Sequence, residues 1–183
     1  MIPLYILGLL LRFGPQHGYQ IKKLLAEQLE DFTQIKLPTI YYHLEKMEEA
    51  GLIISQNAKE GTRPEKKVYH VSESGCKRFR ELLYRTLDID YRPTFDVDAA
   101  FYFSDHMDRD DIVKSLQRHF EKLEKAIKHI EEHRQQTLRY LPEDMKVWAN
   151  IIFEHHLSHY QSELEWTKSS IRDVEEVCFD DED

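Results

Sequence analysis

The stretch after Pro38 carries the side chains whose chemistry is most specific. Groups that hydrogen-bond or carry positive charge, several with aromatic bodies, occur at Thr39, Tyr42, His43 and Lys46. Ile40, Leu44 and Met47 recur at i, i+4 and i+7, which predicts a helix with one buried side and the polar groups on the other. An exposed ridge of this kind can hydrogen-bond to phosphates and to base edges in a DNA groove. The pattern therefore predicts a helix that reads DNA.

The residues around this helix predict how it is held. Pro38 suits the first turn of a helix, and Gly51 suits the position just past its end. Two short β-prone runs follow, at 52–56 and 67–71, and the residues between them have the Gly, Pro and charge of an exposed hairpin tip. Its basic side chains would follow the sugar-phosphate backbone or enter the minor groove; they are Arg63, Lys66 and Lys67.

Three further helices complete the predicted first domain. Apolar residues predict helices at about 3–13 and 19–29, separated by a turn at 14–18. Ser72 offers an N-cap for a helix that ends near Leu87. Helix, helix, helix, hairpin, helix is the order of a winged helix-turn-helix, so the predicted DNA-binding domain spans residues 1–87.

The side chains of the predicted DNA-reading helix are expected to make two kinds of DNA contact, with phosphates and with base edges. Thr39 and Tyr41 suit phosphate contacts at the helix start, whereas Tyr42, His43 and Lys46 suit base edges. Secondary phosphate contacts are expected from the start of the second helix, at His17, Tyr19 and Lys22. The alternatives are that Tyr41 packs inward and that the polar ridge is simply a solvated helix face.

The second half predicts a helical domain at 95–183, after a linker at 88–94. A short helix is expected at 97–103. Two long helices follow, in which apolar residues recur at alternating spacings of three and four, the pattern of a heptad repeat. Two long helices that packed only against each other would leave part of their apolar surface exposed to water. A second copy of the chain is therefore the predicted partner. The predicted dimer contacts are Leu116, Leu123, Ile130, Leu157, Leu164 and Ile171.

Two tryptophans, Trp148 and Trp166, lie in the last predicted helix. They either fill the core of the interface or line a pocket for a small aromatic or hydrophobic effector. Seven of the ten histidines also lie in the second half, with the i, i+4 pairs His129/His133 and His155/His159. Such pairs can bind Zn²⁺, but no cysteine or adjacent carboxylate completes a tetrahedral set, so no metal site is predicted.

Other patterns exclude several classes of protein. No Gly-rich phosphate loop, GxSxG motif or Cys/His pairing is present, so neither an enzyme nor a cofactor is expected. No run is long enough to span a membrane, and the apolar start lacks the basic leader and cleavage site of a signal peptide. Cys76 and Cys178 are far apart in sequence and predict reduced thiols, which favours the cytoplasm.

The net charge of −9 argues against nucleic-acid binding at first sight. The acidic excess, however, lies in one half of the chain. Residues 1–90 hold 13 basic and 12 acidic side chains, whereas residues 91–183 hold 12 and 22. A nearly neutral first half can bind phosphates if its cations cluster on one face, so the charge permits double-stranded DNA as a partner.

The order and spacing of several motifs resemble the PadR family of transcriptional regulators. The matching pieces lie within residues 5–75; they are 5–10 (YILGLL), 18–21 (GYQI), 40–44 (IYYHL), 49–53 (EAGLI) and 66–75 (KKVYHVSESG). The second half resembles the longer dimerisation domain of one branch. The resemblance implies a mainly α fold with a small β-hairpin, a homodimer and an inverted-repeat operator. It also implies repression relieved by a small effector, for instance a phenolic acid or a multidrug-type compound. The alternative function is a helical protein–protein adaptor that uses the winged helix for docking.

Overall fold

The structure, a computed structural model, describes residues 1–29, 35–58 and 66–176. These residues form two compact units, which divide between Arg92 and Pro93. The first contains α1 (Ile2–Phe13), β1 (Gln16–His17), α2 (Gly18–Leu29), α3 (Leu37–Glu49), β2 (Ile53–Ala58), β3 (Lys66–Val71) and α4 (Glu73–Thr86); the second contains α5 (Val97–Tyr102), a single 3₁₀ turn (Ser104–His106), α6 (Arg109–Tyr140) and α7 (Glu143–Glu176). None of the helices in the described ranges is both long enough and apolar enough to cross a bilayer.

The core of the first unit lies where α1 meets α2, α3 and the sheet. Its fully buried side chains are Ile6, Leu7, Ile21, Ile40, Leu44 and Ile53. Met47 is also buried, so the i, i+4, i+7 pattern of α3 marks its inner face, as predicted. Burial of each such side chain stabilises a fold by about 1.5–3 kcal/mol. The inner face of α3 is therefore fixed, which leaves its opposite side exposed.

The sheet has three antiparallel strands in the order β1-β3-β2. Tyr69 in the central strand lies between Gln16 of β1 and Ser55 of β2. The hairpin was predicted, but residues 16 and 17 were predicted as a turn and form a strand instead. Two residues are too few for an alternating pattern, so the pairing with β3 leaves no sequence signal. Gly14, whose φ is +74°, ends α1 before this strand.

The turn after α3 is anchored to the start of α4. Ser72 is the N-cap, as predicted, and its hydroxyl accepts a hydrogen bond from the backbone N–H of Gly75 at 3.0 Å. The hydroxyls of Ser72 and Ser74 each lie 2.6 Å from the carbonyl oxygen of Gly51, to which they donate. Gly51 has a φ of +67°, which favours glycine. The end of α3 and the start of β2 are therefore held by α4.

In the second unit, α6 and α7 pack antiparallel. Arg109 donates to the carbonyl of Glu175 at one end of the pair, and Arg134 donates to Asn150 at 3.1 Å towards the other. Asp108 caps α6 by accepting from the N–H groups of two following residues. The carboxylates of Asp110 and Asp111, in the first turn of α6, also interact favourably with the helix dipole.

The apolar seam of the long helices is closed within one chain. Four of the predicted dimer contacts are only 4–6% exposed in the single chain; they are Leu116, Leu123, Ile130 and Leu157. These residues are buried within the single chain, Ile130 and Leu157 in the core between α6 and α7, and their role in a dimer remains a prediction. The period of a heptad specifies an apolar face but not which helix covers it. Leu164 and Ile171 are half-buried, and their role in a dimer remains a prediction.

A different face of α7 is apolar and exposed. It carries Val147, Trp148, Ile151 and Ile152, whose side chains are 43–64% exposed. At about 100° per residue, Ile151 points away from the side on which Phe153 is buried. The first half of α7 is therefore apolar on two sides, only one of which is covered within the described chain.

Candidate nucleic-acid interface

The exposed side of α3 carries the polar ridge that the sequence predicted. Tyr41 is 47% exposed and Tyr42 is 56% exposed, while His43 is half-buried. The rings of Tyr42 and His43 meet edge to face with their centroids 5.3 Å apart. Thr39, half-buried, lies in the first turn of the helix. These side chains form one surface because the opposite side of α3 is buried in the core.

Lys46 extends this ridge but is paired within the helix. Its Nζ lies 2.7 Å from a carboxylate oxygen of Glu49, and both side chains are mostly exposed. The hydrogen bond and the negative charge of Glu49 raise the pKa of Lys46 above its ordinary value. Lys46 therefore stays charged and is paired with Glu49 in this structure, and its contact with DNA remains a prediction.

Glu48 connects α3 to both strands of the hairpin. Its carboxylate accepts a hydrogen bond from the Ser55 hydroxyl of β2, and it lies 3.4 Å from Nζ of Lys67 in β3. The Ser55 hydrogen bond, followed by the Lys67 charge, lowers the pKa of Glu48. Because the folded pKa lies below the ordinary carboxyl value, this link stabilises the unit at neutral pH and weakens as acid protonates Glu48. The contact fixes the hairpin against α3, and sequence reasoning missed it.

The predicted contacts of the hairpin are only partly described. Lys67, predicted to reach a phosphate, is the partner of Glu48 in this structure. Arg63 lies outside the described residues, and for Lys66 only the backbone in β3 is described. The roles of these three residues in DNA binding remain predictions.

The start of α2 is organised by reciprocal hydrogen bonds. Nδ1 of His17 accepts from the backbone N–H of Gln20 at 3.2 Å, and the Gln20 side chain accepts from the backbone N–H of His17 at 3.3 Å. The pair therefore acts as a capping box. Tyr19, 60% exposed, and Lys22, also exposed, lie beside it. His17 thus has a structural role here, and its predicted phosphate contact remains a prediction.

Tyr41 joins the starts of α2 and α3. Its ring lies so close to Gly18 that a Cβ atom there would be 2.5 Å from Cε1 of Tyr41. The predicted alternative, in which Tyr41 packs inward, is therefore met only in part, because one side of the ring covers Gly18 and the rest is exposed. The absence of a side chain at Gly18 leaves the space that the Tyr41 ring occupies, and it therefore fixes the position of this ring at one edge of the ridge.

Replacing Gly18 by alanine is expected to move the Tyr41 ring while preserving the fold, since a side chain can shift where a backbone cannot. We expect affinity for operator DNA to fall about fivefold, with little change in the thermal unfolding midpoint. Fluorescence anisotropy with labelled DNA would measure the effect. In a Tyr41→Ala background the same substitution should have no further effect on affinity. Additive losses would contradict the coupling.

The two tryptophans do not share a site. Trp148 is 64% exposed on the outer face of α7, whereas Trp166 is half-buried and contacts Phe101 of α5 edge to face at 5.9 Å. Eighteen residues of helix separate them, or about 27 Å. Trp166 lines a cavity of about 400 Å³ between α5, α6 and α7. A ligand that touches Trp166 there would leave Trp148 untouched.

The histidine pairs occupy the surface of the long helices. The Nε2 atoms of His155 and His159 are 3.2 Å apart, and the ring of His133 meets Phe153 edge to face. Within residues 1–29, 35–58 and 66–176, no group of three or more His, Cys, Asp or Glu side chains is placed to hold a metal ion.

Two family models match the chain, one in each half. Residues 6–81 match the transcriptional regulator PadR-like family, and residues 101–175 match the C-terminal region of virulence activator alpha. The first half of the chain is therefore similar to the PadR-like family, and most of the second half is similar to the C-terminal region of virulence activator alpha. The first match includes all of α2 and α3 and the described parts of the hairpin. The family is one of transcriptional regulators rather than a class of enzyme, and it does not favour the adaptor alternative.

Similar proteins include the negative transcriptional regulator PadR of Bacillus subtilis, which is 38% identical over 80 residues. That stretch covers 44% of this chain and 43% of the relative. Crystal structures of Bacillus subtilis PadR are also similar in fold at 22% identity. The complex with operator DNA has a TM-score of 0.77 and covers 94% of this chain and 98% of that one. The complex with p-coumaric acid has a TM-score of 0.72 and covers 96% and 97%. They support the predicted mainly α winged-helix fold with a helical C-terminal region.

Proposed function

We propose that the chain is a homodimeric transcriptional repressor that binds an inverted-repeat DNA operator and is released by a small effector. The observation that carries the proposal is the exposed ridge of α3, held beside the hairpin by Glu48. The similarity of residues 6–81 to the PadR-like family supports it, as does the similarity to a relative described as a negative regulator. The activity requires neither catalysis nor a cofactor, and we place it in the cytoplasm with the DNA target.

Within this proposal each residue has a defined role. Tyr42, His43 and Lys46 read base edges in the major groove, while Thr39, Tyr41 and the start of α2 contact phosphates. The α2 group consists of His17, Tyr19 and Lys22. Arg63, Lys66 and Lys67 of the hairpin follow the backbone beside the groove. When DNA binds, Lys46 leaves Glu49 and Lys67 leaves Glu48, and each lysine contacts DNA instead. Binding therefore replaces two ion pairs within the protein by contacts with DNA.

Selection of genomic DNA fragments by the purified full chain tests the proposal. Retained fragments should share an inverted repeat whose half-sites are separated by about 34–36 Å or a multiple of that distance. Affinity should fall steeply with salt, with a slope of about −0.9 for each phosphate contacted. Fragments without a shared sequence, or binding insensitive to salt, would contradict it.

The exposed apolar face of α7 supports a second copy of the chain as partner. Val147, Trp148, Ile151 and Ile152 form a contiguous patch that water would otherwise cover. A two-fold axis would place the same patch of both copies together, which is the commonest way for a soluble protein to bury such a face. We therefore place the dimer contact here rather than in the intrachain seam.

Ile151→Glu is expected to weaken self-association about 100-fold, because it places a charge in a desolvated contact. Sedimentation velocity over a concentration series would measure the monomer fraction. Ile54→Glu is a matched control, since Ile54 is 55% exposed and Ile151 is 56% exposed. A dimer unaffected by the first substitution, or weakened equally by both, would contradict this placement.

A further inference from the structure

The cavity beside Trp166 has the size and walls of a small-molecule site. Its volume of about 400 Å³ lies within the range of about 300–1,000 Å³ that is usual for such sites. Phe95, Phe101 and Trp166 supply aromatic surface, and Val97, Met107 and Ile112 supply aliphatic surface. The lining residues all belong to the second unit, so the cavity is complete within α5, α6, α7 and the residues that flank α5.

Carboxylates outnumber basic groups in the lining of the cavity. Asp96 and Glu163 contribute carboxylates, and the residues that line it include no lysine or arginine among those that the structure describes. Nε2–H of His119 donates to Glu163 at 3.2 Å, and this histidine is the basic side chain of the lining. A neighbouring depression shares Phe95, Glu163 and Trp166 and adds a third carboxylate, Asp98.

From this arrangement we infer that the cavity binds an amphipathic organic cation, a flat ring system that carries an amine or a quaternary ammonium group. Aromatic faces attract cations, and the attraction grows where water is excluded. A carboxylate in the same lining, Asp96 or Glu163, then supplies the counter-charge. An anionic ligand would instead bring a negative charge beside Asp96 and Glu163 without a lysine or arginine in the lining to pair with it.

The inference rests on the proposed function, because it names the chemical class of the effector. It also separates this chain from Bacillus subtilis PadR, whose structure contains p-coumaric acid. Trp166 and Phe101 contact each other in the wall of the cavity. A ligand ring that enters between α5 and the two long helices would press on both side chains. Displacement of these rings gives the cation a route to alter the packing of the helices.

Calorimetric titration of the full chain with three probes of equal ring size tests the ligand class. The probes are 1-naphthylmethylammonium, 1-naphthalenemethanol and 1-naphthoate. We expect the cation to bind about tenfold or more tightly than the carboxylate, with the alcohol between them. Equal affinities, or tighter binding of the carboxylate, would overturn the inference.

Glu163→Gln removes the charge but keeps the shape of the side chain. It is expected to lower the affinity for the cation about tenfold and to change that for the alcohol less than twofold. Glu165→Gln, at an exposed position of the same helix, is the matched control and should change neither. Equal losses for cation and alcohol would indicate a structural effect and would overturn the inference.

An operator-binding assay on the same samples separates the two proposals. If no naphthalene derivative binds but the protein still binds its operator, the cavity inference fails and DNA binding stands. If the cation binds but no operator can be selected, the proposed repressor function fails while the ligand site stands. A cation that binds the cavity and lowers operator affinity would support both.

Discussion

Replacing Tyr42, His43 and Lys46 together by alanine is expected to abolish sequence-specific operator binding. Affinity should fall about 100-fold or more, because each good base contact is worth about 1–3 kcal/mol of discrimination. The three side chains are exposed or half-buried and lie on the side of α3 away from Ile40 and Leu44. Their removal should therefore leave the thermal unfolding midpoint nearly unchanged. Fluorescence anisotropy with operator and with scrambled DNA would measure the loss.

A matched control exists in the second unit. Tyr102, His106 and Lys114 are the same three residue types and are also exposed, but they lie on α5, the 3₁₀ turn and α6. Their joint replacement by alanine should leave operator affinity within about twofold of the original, since rim and surface changes have small effects. Retained affinity in the α3 triple variant would contradict the assignment of α3 as the reading helix.

Replacing Gly75 by alanine is expected to destabilise the first unit by about 3 kcal/mol, since overpacking a buried position forces the backbone to shift. A Cβ atom there would lie 2.1 Å from the carbonyl oxygen of Leu52 and 2.8 Å from Cγ1 of Val71. That oxygen accepts a hydrogen bond from the backbone N–H of Ser72 at 3.0 Å, so it cannot move without breaking the start of α4. Hydrogen exchange read by mass spectrometry would show faster opening of α1 to α4.

Gly14→Ala is the control for this effect. Its φ of +74° also disfavours alanine, but nothing lies within 4 Å of the Cβ position. Backbone strain alone should cost about 1 kcal/mol there. Similar losses at both glycines would mean that overlap with Leu52 is not the cause. Because Gly75 supports the turn that follows α3, its replacement should also lower operator affinity.

Local signals in the sequence were enough to predict α3, its buried side and its exposed ridge. The spacing of Ile40, Leu44 and Met47 specified the buried side of α3, and Ser72 specified where α4 begins. Each of these features depends on residues within two turns of one helix, so periodicity and capping chemistry reveal them. The ridge of Tyr42, His43 and Lys46 followed as the opposite side of the same helix.

Contacts between distant segments could not be predicted in the same way. Glu48 meets Ser55 and Lys67 only once the hairpin folds against α3. The pairing of His119 with Glu163 depends on the register of two antiparallel helices, which no spacing within either helix encodes. For the same reason the heptads of α6 and α7 predicted an apolar seam but could not specify which helix covers each part of it.

The contrasting positions of the two tryptophans have a practical consequence for experiment. All indole emission comes from residues beyond Arg92, because the first unit has no tryptophan. A Trp148→Phe variant would emit only from the cavity wall, and a Trp166→Phe variant only from the outward face of α7. The chain thus contains two optical reporters that can be isolated by single substitutions. The first would follow ligand entry at the proposed site, and the second would follow association through the proposed dimer contact.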